Sequence, residues 1–200
     1  MRYAVLAAAI GLVVLAGAAN ATIPERSLCT VTPCDANGGV IVVPDYNIET
    51  GTVQPSPHAA FTVNVRNANN DAIPNAYVEL ILGIPGNHWL CNDAVLTGTT
   101  DPLGDVSFNI SGGGCTMNVN ALRIIANNYP IREYDVVKSP DYENGVSNGT
   151  VDLADFGYFA ACYGTSNCPC TDYKNSGLTE LEDFSIFAES YGYACQELVP

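Results

Sequence analysis

Basic residues are scarce in this chain: 7 Lys plus Arg stand against 21 Asp plus Glu, a formal net charge of −14. A surface so poor in cations cannot track a phosphate backbone, which excludes nucleic acid as a ligand, and anionic lipid headgroups repel it. Imidazole is scarcer still, with His58 and His88 the 2 histidines. His58 lies in Pro55-Ser-Pro-His58, by composition an exposed linker, and His88 in Gly86-Asn-His-Trp-Leu-Cys91, by composition a loop. Neither falls in a G-x-S-x-G elbow or an H-E-x-x-H helix. Carboxylates alone would suit a glycosidase, but a small β domain gives no cleft signal, so a non-catalytic role is expected. The single Trp89, beside His88 and with Tyr46 and Tyr77 as further aromatics, is a candidate sugar platform; a lone Trp next to a cysteine is more often core packing.

Long apolar runs are missing after the first 21 residues. Within them, Met1-Arg2, the run Ala4 to Ala16 and Ala19-Asn20-Ala21 carry the charge, length and small-residue end of a secretory signal peptide. The run is short for a membrane anchor, so a mature chain from near Thr22, secreted or held at the cell surface without membrane insertion, is expected. All 8 cysteines follow that point, an even number that reads as disulfides in an exported chain. Local topology suggests Cys29–Cys34, Cys91–Cys115, Cys162–Cys168 and Cys170–Cys195. A zinc site at Cys162, Cys168 and Cys170 is disfavoured, because the spacing is not that of paired C-x-x-C knuckles.

What the chain has instead is period-two alternation between turn signals. Short runs recur at Val40–Val43, Phe61–Asn67, Ala76–Leu82, Val95–Thr99, Asp105–Ile110, Ala121–Ala126 and Ile131–Val137, with Phe61, Val63 and Val65 facing a core. Turns are expected at Asn67–Asp71, Asp101–Gly104 and Ser111–Gly114. The fold class is therefore mainly β, with about seven strands suited to an immunoglobulin-like β-sandwich. The phrases Val63-Asn-Val-Arg-Asn-Ala-Asn-Asn-Asp-Ala-Ile-Pro-Asn-Ala-Tyr-Val78 and Thr99-Thr-Asp-Pro-Leu-Gly-Asp-Val-Ser-Phe108 resemble the frame of bacterial Ig-like repeats of the invasin type. That resemblance implies a spacer or adhesive module.

The last quarter is written twice. Asn148-Gly-Thr-Val-Asp-Leu-Ala-Asp-Phe-Gly-Tyr-Phe-Ala-Ala-Cys-Tyr-Gly164 runs in step with Ser176-Gly-Leu-Thr-Glu-Leu-Glu-Asp-Phe-Ser-Ile-Phe-Ala-Glu-Ser-Tyr-Gly192. Each copy is an oxygen-rich loop with a central Gly feeding an amphipathic helix that ends at Tyr-Gly. A calcium loop uses oxygens at positions 1, 3, 5, 7, 9 and 12, with Gly at 6. Counting from Gly177 gives Asp172, Lys174, Ser176, the Leu178 carbonyl, Glu180 and Asp183. Lys174 departs from the pattern, since an ammonium has no lone pair to offer. In loop 1 a gapless register gives Asn144, Val146, Asn148, the Thr150 carbonyl, Asp152 and Asp155. A second register starts at Asp141 and Glu143, treats three residues near Asn144–Val146 as an insertion, and is preferred because it recovers two carboxylates.

On these residues the segment from about Ser139 to Cys195 resembles a type I dockerin, a small α-helical EF-hand pair. The resemblance implies one or two Ca2+ ions and docking onto a cohesin-like module. At positions 10 and 11, where dockerins carry partner-reading side chains, this chain has Leu153-Ala154 and Leu181-Glu182. The expected organisation is a signal peptide (1–21), an N-terminal segment (22–38), the sandwich (39–138) and the dockerin-like calcium-binding module (139–200). Three roles compete: an adaptor docking onto a protein partner, a structural subunit of an extracellular filament or surface layer built from copies of itself, and a carbohydrate-binding module.

Overall fold

The computed structural model describes residues 23–32, 39–82, 91 and 95–196; the expected signal peptide, Cys34, His88 and Trp89 lie outside them. In chain order come β1 (Thr30–Thr32), β2 (Gly39–Ile41), β3 (Tyr46–Asn47), β4 (Thr52–Val53), β5 (Ala60–Asn64), β6 (Tyr77–Leu82), β7 (Val95–Thr99) and β8 (Asp105–Asn109). Then follow β9 (Cys115–Thr116), β10 (Leu122–Ala126), β11 (Tyr129–Tyr134), β12 (Val136–Lys138), α1 (Leu153–Cys162), α2 (Leu181–Ser190) and β13 (Tyr193–Ala194). The protein is mainly β, and no helix among the described residues is long and apolar enough to cross a membrane.

Alternation decides which side of each strand is buried. Phe61 and Val63 on β5, Val78, Leu80 and Leu82 on β6, and Leu122, Ile124 and Ala126 on β10 point into one apolar cluster. Two antiparallel sheets supply it, a three-stranded one ordered β1-β5-β8 and a four-stranded one ordered β11-β10-β6-β7. Val40 of β2 and Val137 of β12 complete the cluster from a third sheet, β2-β12-β9. The expected run Ile131–Val137 is divided at Asp135, so that β11 stays with β10 while β12 leaves to pair in parallel with β2 and antiparallel with β9.

Two expected turns form as the side chains require. Asn67 Oδ1 accepts from the Asn69 and Asp71 amides, and Asp101 Oδ1 from those of Leu103 and Asp105. The stretch Ser111–Gly114 forms no turn of its own: the Gly112 amide donates to the Val43 carbonyl and the Gly114 amide to that of Asp141, with Gly114 at positive φ. Within Pro55–His58, expected as an exposed linker, the two prolines are exposed but the residues between and after them are not. Ser56 is buried and caps a 3-10 turn at Pro57–Ala59, and His58 Nε2 lies 2.8 Å from Glu189 Oε2 on α2.

The tail folds back onto the β region, and that overturns the local disulfide pairing. Cys162–Cys168 forms as expected, but Cys91 joins Cys195 and Cys115 joins Cys170. Nearness in sequence misled because β13 returns to pair with β3 in a sheet ordered β13-β3-β4, carrying Cys195 away from Cys170. Cys29 is a buried free thiol. Cys162, Cys168 and Cys170 are all consumed in disulfides, which closes the zinc alternative.

Candidate metal centre

Loop 2 is organised by two buried carboxylates, Asp172 and Asp183. Asp172 Oδ1 accepts from the Ser176 amide and Oδ2 from the Gly177 amide, each at 2.9 Å. Asp183 Oδ1 accepts from the Lys174 amide and Oδ2 from the Glu180 amide, again at 2.9 Å. Asp183 is the third residue of α2, so the carboxylate that closes the loop also caps the helix. Gly177 takes φ 95°, the left-handed backbone expected of the sixth loop position.

Loop 1 repeats this arrangement around Asp141. Asp141 Oδ1 accepts from the Asn148 amide and Oδ2 from the Gly149 amide and the Ser147 hydroxyl. Asp141 thus stands where Asp172 does, the place the preferred register gives it, while Asn144, which begins the gapless register, is exposed. The three extra residues are taken up by a hairpin in which Glu143 and Val146 bridge and Asn144 and Gly145 adopt positive φ. Val146 is 64% exposed at its side, and Glu143 is exposed beside it. Asp155 Oδ2 accepts from the Asp152 amide at 2.9 Å, as Asp183 does from Glu180. Asp152 caps α1 through the Ala154 amide and accepts from Asn148 Nδ2, while Asn148 Oδ1 accepts from the Thr150 amide. In loop 2 the Leu178 carbonyl accepts from the Ser176 hydroxyl at 3.1 Å.

Burial makes these carboxylates uncomfortable as anions. Asp155 is pushed up to about 7, first by desolvation and then by the charges of Asp141 and Asp152. Desolvation also raises Asp141 and Asp183, with Asp152 and Asp172 adding to it. Among the described residues no three acidic, His or Cys side chains already stand together as a metal cage. The donor set of loop 1 nevertheless fits a hard divalent ion: two buried carboxylates, Asp141 and Asp155, a third on the helix cap, an amide oxygen and a carbonyl. Loop 2 fits less well, with Lys174 at its third position.

The two copies relate by an internal twofold. Phe156 packs on Phe187 at 5.9 Å and Phe159 on Phe184 at 6.0 Å, and both pairs tilt by 42°. The Gly164 amide donates to the Thr179 carbonyl, and the equivalent Gly192 amide to that of Val151. Each helix end is thereby tied to the other copy's loop. The symmetry extends to the surface, where Leu153 and Leu181 are 70% and 69% exposed and Phe156 and Phe184 38% and 37%. Between the helices lies an open apolar groove of about 460 Å³, lined by Phe156, Phe159, Ala160, Tyr163, Leu181 and Phe184.

The seats of the loops were not visible in the sequence. A Cβ on Gly113 would strike the Asp141 carboxylate and Ser147 Oγ, so loop 1 rests on that glycine. Loop 2 rests on β2 and β12, through Gly39 and Lys138. No spacing rule flags such residues, because they lie far from the loops in sequence. Compared with known proteins, the chain matches no family model and no curated protein.

Proposed function

We propose that this is an exported, non-catalytic calcium-binding protein: an immunoglobulin-like sandwich carrying a dockerin-like helix pair that docks onto a protein partner. The observation that carries the reading is the repetition of one clamp. In both loops a buried Asp accepts from the amides of positions 5 and 6, and a second buried Asp caps the helix. Such loops gather carboxylates that repel one another, and a calcium ion supplies the missing positive charge. Asp141, Asn148, the Thr150 carbonyl, Asp152 and Asp155 would hold it in loop 1. Asp172, Ser176, the Leu178 carbonyl, Glu180 and Asp183 are the loop 2 counterparts. Glu143, exposed in the inserted hairpin, is a weaker candidate than the others.

Docking is supported by apolar surface that the helix pair leaves uncovered. Leu181 lines the groove and Leu153 is its exposed counterpart in the first copy, and such matched apolar side chains favour a partner with an apolar centre. Export is supported by three disulfides among the described residues. Calorimetric calcium titration of the oxidised full chain, with Asp155→Ala and Asp183→Ala, tests the first half: heat in the parent and loss in Asp155→Ala is the expected result. Binding of cohesin-type modules, alongside the chain's own oligomeric state by ultracentrifugation, tests the second. A Leu153→Asp, Leu181→Asp double variant should weaken capture at least about tenfold, while unchanged capture would remove the helix face from the account.

A further inference from the structure

Loop 2 has a cation of its own. Lys138, the last residue of β12, is 2% exposed. Its ammonium donates to the main-chain carbonyl of Asp172 and, at 2.5 Å, to Asn175 Oδ1 at the tip of loop 2. Asp172 and Asp183 are the anions acting on it. The fit is close on the neighbouring strand too, where a Cβ on Gly39 would come within 2.6 Å of Asn175 Nδ2. A buried ammonium is costly unless oxygens surround it, so this position is held by what the loop offers.

The distribution of charge sharpens the contrast between the loops. The chain has 2 lysines: Lys174 lies in loop 2 and Lys138, on β12, reaches it. From Ser139 to Asp155 loop 1 carries Asp141, Glu143, Asp152 and Asp155 and no Lys or Arg. A divalent ion entering loop 1 meets only negative charge, whereas one entering loop 2 is opposed by a like charge already in place.

We propose that Lys138 is the tethered counter-ion of loop 2, holding that loop folded without metal, so that the chain takes one calcium ion, at loop 1. The ion count rests on the calcium reading above; the holding of loop 2 does not. Amide hydrogen exchange on the full oxidised chain in excess chelator tests the second part alone. The Lys174, Ser176, Gly177 and Glu180 amides, which donate to Asp172 and Asp183, should exchange at least about tenfold more slowly than those of Asn148, Gly149 and Asp152. Lys138→Met should erase that difference. So should Asn175→Gly, which removes the ammonium's side-chain partner while tolerating the φ of 53° at that position.

Equal exchange in the two loops, or slow loop 2 exchange that survives both variants, overturns the proposal. Calorimetry then counts ions: one per chain, retained in Asp183→Asn and lost in Asp141→Asn. Two equivalent ions in the parent chain overturn the count. Absence of any heat removes the calcium reading and the count together, while the exchange result still decides the part played by Lys138.

Discussion

At the scale of single residues, Asp155 contributes to the pH behaviour of the fold alongside Asp141 and Asp183, whose carboxyls burial also raises. Its carboxyl is held near 7 in the native state against an ordinary value of 3.8, so between those values the native state binds more protons than the unfolded chain. Stability must then fall as pH rises from about 4 to about 7 in the absence of metal, with a ceiling of roughly 4 kcal/mol for the single group. Thermal melts in chelator should show that decline, and calcium should flatten it by stabilising the ionised form. Two glycines give opposite expectations. Gly113→Ala places a methyl against the Asp141 carboxylate, which should cost roughly 2–4 kcal/mol in denaturant unfolding. Gly157, exposed on α1 with nothing near its missing Cβ, should gain up to about 1 kcal/mol on substitution by Ala.

Among the elements, what the sequence disclosed was whatever is local. The helices begin after Asp152 and Glu180 and end before Tyr163-Gly164 and Tyr191-Gly192, because caps and left-handed glycines are written beside the stripe they bound. The strands with clean alternation, such as β5 and β10, were equally legible. By contrast β3, β4 and β13 are two residues long, too short for any periodicity, and they are strands only because distant segments meet. The disulfides failed to follow spacing for the same reason. Peptide mapping of the unreduced chain should recover Cys91–Cys195 and Cys115–Cys170 as cross-links. Breaking Cys115–Cys170, which spans 55 residues, should cost more than breaking Cys162–Cys168, which spans 6, roughly 4 against 2 kcal/mol in the loop-entropy picture.

For the whole molecule, two disulfide bridges and the hydrogen-bonded β13–β3 pair tie the tail to the strands it follows. Loop 1 is seated on Gly113, and loop 2 on Gly39 and Lys138, so the proposed ion binding in the tail would be coupled to the β region through direct contact. The repeat itself revealed the loops and their carboxylates; it could not reveal the twofold relation of the copies, which lies in their packing, or what the loops rest on, because those residues lie on other strands. The most direct measurement of the central claim is thermal unfolding of the full oxidised chain at pH 7.5 in chelator and in millimolar calcium. The account predicts a melting temperature higher by about 5 °C or more with calcium, and no such rise in Asp155→Ala. Superimposable melting curves with and without calcium would contradict it.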